Sequence, residues 1–328
     1  MSQPGNSAKT RIEVSVVVPV RNEESSLPAL ISSLQAQTVR PTEVVIVDGG
    51  STDGTVAIAH GLIGDDLRFR VVQAGRATPG RGRNVGIEGA RHDWIALTDA
   101  GNRLDPQWLE RLLDVVSVDS EVAFVYGNFE PAVESFFTSC AALAYVPPKR
   151  VRPEGSIRYP FIASSLLRRE TWQRVGGFPD LRAAEDLIFM EAVEKQGFKV
   201  GYAPGATAFW QLQPTLGGTF RRFVTYSRHN VWAGRQRYWH YGIARHYAVA
   251  LLLLVLAVVH SWWWLCVLVI GMVARVLKSI WKNRAGRGLM WALNPIRFSY
   301  VTVIILAIDL ATFTGWLQAR VSKPPEPS

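Results

Sequence analysis

Acidic residues are missing from a third of this chain: none lies between Glu194 and Asp309. The 328 residues carry a formal net charge of +9, divided unevenly. Met1 to Glu194 holds 20 basic and 25 acidic residues, and Lys195 to Ser328 holds 16 basic and 2 acidic. Basic residues there alternate with long apolar runs. Nucleic acid would account for the charge but not for those runs, whereas an anionic membrane surface accounts for both. Cysteine is scarce as well. Cys140 and Cys266 stand too far apart for a disulfide framework or a metal-binding spacing. The six histidines form no HExxH or related pattern, which excludes the common zinc sites. A secretory signal is also missing, since residues 1–11 are polar and the first apolar run, 14–20, is short and contains Pro19. The expectation is an N-terminal domain that stays in the cytoplasm.

What is present begins with short β-branched runs alternating with helical periodicity, the pattern of a mostly parallel sheet covered by helices. Residues 14–20 read as a strand buried on both faces. Leu27, Leu30, Ile31 and Leu34 then mark one helix face. Strands follow at 44–47, 69–72 and 94–98, with helices at 55–60, 84–90 and 106–116 between and after them. Beyond a strand at 122–126, Pro147, Pro148 and Pro153 mark an irregular connection. A strand at 162–167, a helix at 170–175, the turn Gly176-Gly177-Phe178-Pro179, a helix at 185–196 and a strand at 199–203 complete the domain.

The expected organisation is a flexible N-terminus (1–11), an α/β Rossmann-like domain (12–214), a basic and aromatic interfacial segment (215–242), a transmembrane region (243–316) and a polar tail (317–328). Within the membrane region, 243–259 and 262–277 are apolar runs separated by His260-Ser261, and 298–316 is a third. Reading the first two as one helix would place the basic loop 278–297 outside the cytoplasm, against the positive-inside rule. A hairpin turning at His260-Ser261 keeps that loop inside and sets Trp262, Trp263 and Trp264 at the far interface. Asp309, inside the third run, is either functional or paired with a basic residue of a neighbouring helix.

Open α/β sheets bind ligands beyond the carboxyl ends of their strands. Three such ends carry acids here: Arg21-Asn22-Glu23, Asp48-Gly49-Gly50-Ser51-Thr52-Asp53, and Asp99-Ala100-Gly101-Asn102. Carboxylates accept hydrogen bonds from ribose hydroxyls and the uracil imide, and they hold a divalent cation on a diphosphate. Glycines such as Gly50 let the backbone approach the ligand, although Asp-Gly is equally a turn signal. The Gly80-Arg81-Gly82-Arg83-Asn84-Val85-Gly86 run misses the GxGxxG spacing by one residue, so it is no dinucleotide fingerprint. Its arginines, with Arg76, suit a diphosphate.

In this order the motifs resemble the family 2 glycosyltransferases of the GT-A fold. VSVVVPVRNE (14–23) and VVIVDGGSTDGT (44–55) look like the family's nucleotide-binding strand ends, and WIALTDAGNRL (94–104) like its metal strand end. FIASSLLRRETWQRVGGF (161–178) looks like its acceptor-side segment and AEDLIFM (184–190) like its catalytic motif. The resemblance implies a nucleotide-sugar site built from Pro19, Arg21, Glu23, Asp48, Gly50 and Asp53, with Arg81, Arg83 and Asp99 near the diphosphate. It implies Asp186 as catalytic base with Glu185 beside it, and Arg222, Tyr226 and Arg228 in an acceptor-side or closing segment. Asp99 would be the first acid of the family's DxD motif; Gly101 replaces the second, leaving Asp99 and Asn102 to hold Mg²⁺ or Mn²⁺. The implied activity is inverting hexosyl transfer from a UDP-sugar to a lipid-linked or polysaccharide acceptor at the cytoplasmic membrane face. A nucleotidyltransferase would share the Rossmann-like half without needing Glu185-Asp186, and Gly101 also suits a noncatalytic membrane scaffold with a degenerate transferase domain.

Overall fold

A computed structural model describes residues 12–322 of the chain. The expected flexible terminus 1–11 and residues 323–328 of the expected tail lie outside them. In chain order the elements are β1 (Val14–Val20), α1 (Leu27–Gln35), β2 (Glu43–Asp48), α2 (Thr55–Ile63), β3 (Phe69–Gln73), α3 (Pro79–Gly89), β4 (Trp94–Thr98), β5 (Asn102–Leu104) and α4 (Trp108–Val118). After these come β6 (Phe124–Ala132), α5 (Phe136–Tyr145), β7 (Arg150–Arg152), β8 (Gly155–Ile157), β9 (Ser164–Arg168), α6 (Arg169–Val175), α7 (Glu185–Lys195) and β10 (Val200–Gln211). Helices complete the described chain: α8 (Leu216–Trp232), α9 (Gln236–Val259), α10 (Trp263–Asn283), α11 (Leu289–Ala292) and α12 (Pro295–Val321).

Eight strands form one sheet in the order β3-β2-β1-β4-β9-β6-β10-β5. The β3-β2-β1-β4 half is parallel throughout, as the β-branched runs require. β9 enters antiparallel between β4 and β6, β10 returns parallel to β6, and β5 closes the edge antiparallel. The closing strand is longer than the sequence pattern suggests because β10 shifts register between Tyr202 and Thr207 and then continues. One sheet face buries Leu27, Leu30, Leu34, Trp108 and Leu112 of α1 and α4. The other buries Ile87, Phe178, Phe189 and Val193 around α3 and α7.

α3 lies unusually close to the sheet. A Cβ on Gly86 would stand 2.3 Å from Val17 Cγ1 and 2.9 Å from Val47 Cγ2, so only glycine lets the helix settle there. The glycines of that run therefore serve helix packing, which is why their spacing fits no phosphate loop.

α9, α10 and α12 are each long and apolar enough to cross a membrane, with mean hydropathies of 2.1, 1.8 and 1.8 over their most apolar stretches. α9 and α10 are separated at His260-Ser261-Trp262 and lie side by side. α12 differs from the third apolar run inferred from sequence in both length and setting. It begins at Pro295 and continues to Val321, into residues expected to be tail. Its first half packs Val301, Ile304, Ile305 and Ile308 with Phe129, Cys140 and Leu143 of the α/β domain. Its second half lies on α8: Ser227 Oγ donates to the Thr312 carbonyl at 2.6 Å, and Trp232 Nε1 donates to the Ala319 carbonyl at 3.3 Å. The other face presents Tyr300, Val303, Leu306, Leu310 and Leu317 to the surroundings. Asp309 is buried and paired, its two oxygens accepting from the Arg275 fork at 2.6 and 2.8 Å.

Candidate active site

The loops that follow β1 and β2 are fastened to each other. Asn22, at a left-handed φ of 56°, accepts from Thr52 N through Oδ1 at 2.8 Å, and its own N–H donates to Ser51 Oγ at 2.9 Å. Glu23 N donates to Thr55 Oγ1 at 2.8 Å. Asp48 is buried at the end of β2 and accepts the amides of Gly50 and Ser51 at 3.3 and 3.1 Å. Gly50, at φ 79°, makes the turn that allows this. Asp53 is exposed and caps the start of α2 through Thr55, whose hydroxyl holds its pKa below the ordinary range. Both aspartates thus build the turn, and they retain lone pairs toward the rim. Arg21 is half-buried beside them, and Pro19 backs onto α3 at Gly82.

The α3 N-terminus joins this half to the segment ahead of α7. Thr78 caps the helix by accepting from Arg81 N at 3.2 Å, and its hydroxyl donates to Asp180 at 2.5 Å. The Asn84 amide accepts from Phe178 N at 2.8 Å and from Trp172 Nε1 at 2.9 Å, and donates to the Phe178 carbonyl at 2.7 Å. That side chain fixes the Gly176-Gly177-Phe178 turn.

Arg83 occupies the centre. Its side chain is 3% exposed, and its fork donates to Asp99 Oδ1 at 2.7 Å and to Glu185 Oε1 at 2.8 Å. Burial opposes its charge, but Asp99 and Glu185 outweigh burial and raise its pKa. The sequence pointed to Arg83 as a diphosphate partner; the structure instead commits its fork to two carboxylates. It is the strut between the end of β4 and the start of α7. Arg83 Nε and Glu185 Oε2 are buried with no protein partner, so some polarity remains available at the strut.

Ala184 enters α7 at a left-handed φ of 73°, a conformation that costs a non-glycine residue energy and that clusters at functional sites. The kink sends Glu185 inward to Arg83 and leaves Asp186 half-buried, with Oδ1 accepting from Leu187 N at 2.8 Å. Burial, followed by neighbouring Asp186, pushes the Glu185 pKa up, and the Arg83 pair offsets this only in part. Burial also raises Asp186, only partly offset by Arg83. A carboxylate that is ionised yet more basic than usual is suited to taking a proton.

α8 overhangs this centre. Tyr226 is electrostatically coupled to Asp186, Asp99 and Glu185, and burial raises its phenol pKa. Arg222 stacks over Trp210 at 5.8 Å and acts on Glu23 from the opposite side of the site. Burial raises Glu23, with Asp99 adding to the effect and Ser26, Arg222 and Arg182 opposing it. Arg182 was not evident in the sequence, since it lies in an unpatterned loop ahead of the Glu-Asp motif. Arg228 is not brought to the carboxylates; it stacks on Trp232 at 5.2 Å.

Metal capacity is modest. Among the described residues no group of three or more His, Cys, Asp or Glu side chains is arranged to hold an ion. Asn102 is buried, and its amide nitrogen donates to Thr98 Oγ1 at 3.3 Å and the Ala163 carbonyl at 3.4 Å, which leaves only its amide oxygen as a candidate ligand. Asp99 remains, 39% exposed, with one oxygen engaged by Arg83. A Cβ on Gly101 would meet nothing within 4 Å, so the space of the absent acid is open. One carboxylate fits a divalent cation whose other ligands are diphosphate oxygens and water, as magnesium sites of nucleotide enzymes commonly are.

A mostly parallel sheet with acids on the rim of its nucleotide half and a carboxylate pair on the opposite side defines a GT-A type of transferase. The sequence matches Glycosyl transferase family 2 over residues 15–169 and Glycosyl transferase family group 2 over residues 94–314. The chain belongs to the family 2 glycosyltransferases. It is similar to glycosyltransferase AglE of Haloferax volcanii, 27% identical over 203 residues that cover 58% of this chain and 64% of AglE. It is also similar to the succinoglycan biosynthesis protein ExoO of Rhizobium meliloti, 32% identical over 136 residues covering 37% of this chain and 38% of ExoO. The matched stretches span less than two thirds of these relatives. The fold is shared with the mannosyltransferase PcManGT from Pyrobaculum calidifontis, solved with GDP-Man and Mn²⁺, at a TM-score of 0.55 and 18% identity over 94% of this chain and 88% of that one.

Proposed function

We propose that this glycosyltransferase moves a hexosyl group from a UDP-sugar to a lipid-linked or polysaccharide acceptor, with inversion, using Asp186 as base. The observation that carries this reading is the Arg83 strut, which ties Asp99 on the donor side to Glu185, next to Asp186, in one rigid unit. Asp48, Asp53, Glu23 and Arg21 receive the nucleoside, and Arg81, Arg182 and Arg222 face the diphosphate. Asp186 accepts the proton of the acceptor hydroxyl as that oxygen forms its bond to the anomeric carbon. The bond from that carbon to the diphosphate breaks on the opposite face, and the nucleoside diphosphate leaves. One displacement inverts the configuration. Glu185 stays on Arg83 and holds α7 in register. Asp99 would hold a Mg²⁺ or Mn²⁺ ion, which would supply neutralisation of charge on the leaving diphosphate. The use of GDP-Man and Mn²⁺ by PcManGT, and the place of ExoO in succinoglycan synthesis, support this class of donor, metal and product.

The membrane reading follows from packing. α12 is attached to the domain along both halves, so crossing the bilayer would take α8, with Arg221, Arg222 and Arg228, into hydrocarbon. Charged side chains there are costly. We therefore place the α9–α10 hairpin in the membrane and α12 along its cytoplasmic surface, exposed apolar face toward lipid.

A panel of nucleotide sugars incubated with enzyme in native membranes tests the reading. It predicts release of nucleoside diphosphate, transfer of label to the lipid or polymer fraction, and an anomer opposite to that of the donor. Release of pyrophosphate, or a retained anomer, would overturn it.

A further inference from the structure

Where α5, α10 and α12 meet, a cleft of about 260 Å³ is lined by Tyr145, Arg275, Lys278, Lys282, Ile308 and Asp309. Arg275 also borders a second cleft, of about 110 Å³ between α9 and α10, whose walls include Leu253, Val267, Leu268 and Met272. The two clefts adjoin at that side chain, one basic and the other apolar.

Their charges are unequal in availability. Arg275 is consumed by Asp309, which also accepts from Tyr247 Oη at 2.9 Å, making a closed neutral unit. Lys278 and Lys282 lie one turn apart on α10 and have no carboxylate partner among the described residues. No acid between Glu194 and Asp309 is present to supply one. Ser279, between them, is already committed to the Leu143 carbonyl at 2.7 Å. Two uncompensated ammonium groups beside an apolar cleft complement an anion carried on a hydrocarbon chain.

An aromatic series also runs from the cleft onto α8. The Tyr145 ring on its wall stands 5.1 Å from Phe223, and Phe223 stands 6.0 Å from Tyr226. Aromatic faces of this kind suit the apolar faces of sugars.

We propose that Lys278 and Lys282 bind the phosphate group of a lipid-linked saccharide acceptor. The first part of its lipid chain lies in the α9–α10 cleft, and its sugar reaches past Tyr145 and Phe223 to Asp186. This rests on the glycosyl-transfer reading above and adds to it the seat of the acceptor.

The test uses the full chain in phosphatidylcholine nanodiscs doped with polyprenyl diphosphate, with polyprenol, with phosphatidylglycerol, or with none of these while inorganic diphosphate is in the buffer. Binding raises the unfolding midpoint. Polyprenyl diphosphate is expected to raise it, and the other three additions to raise it much less. In Lys278→Gln/Lys282→Gln, at two exposed positions, the half-saturating concentration rises roughly tenfold or more, as for loss of at least ~1.4 kcal/mol of binding, while UDP affinity is unchanged. Wild-type half-saturation in the double variant overturns the proposal. So does an equal response to phosphatidylglycerol, to polyprenol or to free diphosphate. Should UDP fail to bind the wild type, the glycosyl-transfer reading fails, and the lipid titration still decides the cleft.

Discussion

Arg83 shows how a single guanidinium can join two sides of a candidate site. Its fork satisfies two acids from different strands and helices, and a lysine could not make both bonds in that planar geometry. The raised pKa of Asp186 has a kinetic consequence. The base works only when ionised, so kcat/KM should fall with decreasing pH through a limb lying above the ordinary aspartate value of about 3.9. A pH–rate profile under saturating metal checks this, and a rate still flat at the ordinary aspartate value would contradict it. Gly101 yields a second prediction at the same scale. Its empty surroundings admit a carboxylate, so Gly101→Asp should tighten divalent-cation binding by roughly tenfold as a second charged ligand joins Asp99. Titration of Mn²⁺ against nucleotide release measures it; an unchanged midpoint would show that the cation does not sit at this rim.

At the scale of elements, α3 and α7 position the site and α8 covers it. The approach of α3 to the sheet depends on Gly86, so Gly86→Ala should destabilise the domain by about 1–3 kcal/mol through overpacking against Val17 and Val47. Denaturant unfolding of the full chain in detergent reads this, and a neutral variant would mean the helix has room the geometry denies. Much of this level was legible in the sequence. The β-branched runs located the parallel strands, and the acids following them located the rim, because period and position alone determine both. The strut was not legible. Arg83 and Glu185 are 102 residues apart, and nothing local tells a guanidinium that meets phosphate from one that meets carboxylates. The burial of Asn102 was hidden for a related reason: β5 turns it inward, which depends on a three-residue edge strand without a strong pattern. Arg182 carried no motif at all.

At the scale of the whole molecule, the apolar composition of 298–316 announced membrane contact but could not reveal that α12 would be docked on its own domain. Hydropathy measures what a helix can tolerate, and the partner that covers it is a tertiary fact. With α12 on the cytoplasmic surface, a tag fused after Ser328 should lie on the same side as the catalytic domain. Protease added to inverted membrane vesicles should remove it; protection there would mean that α12 crosses the bilayer. The pairing of Asp309 with Arg275 was one of two readings open from sequence, and it anchors the hairpin base to α12.

The central claim is that Asp186 takes the acceptor proton, and it is tested most directly by comparing donor binding and transfer in Asp186→Asn. Asparagine preserves the shape and removes the base together with a charge that burial disfavours. The account predicts UDP affinity within about twofold of wild type, transfer reduced by roughly 10²–10⁴-fold, and a fold at least as stable as wild type at neutral pH. Transfer at a near wild-type rate would contradict it.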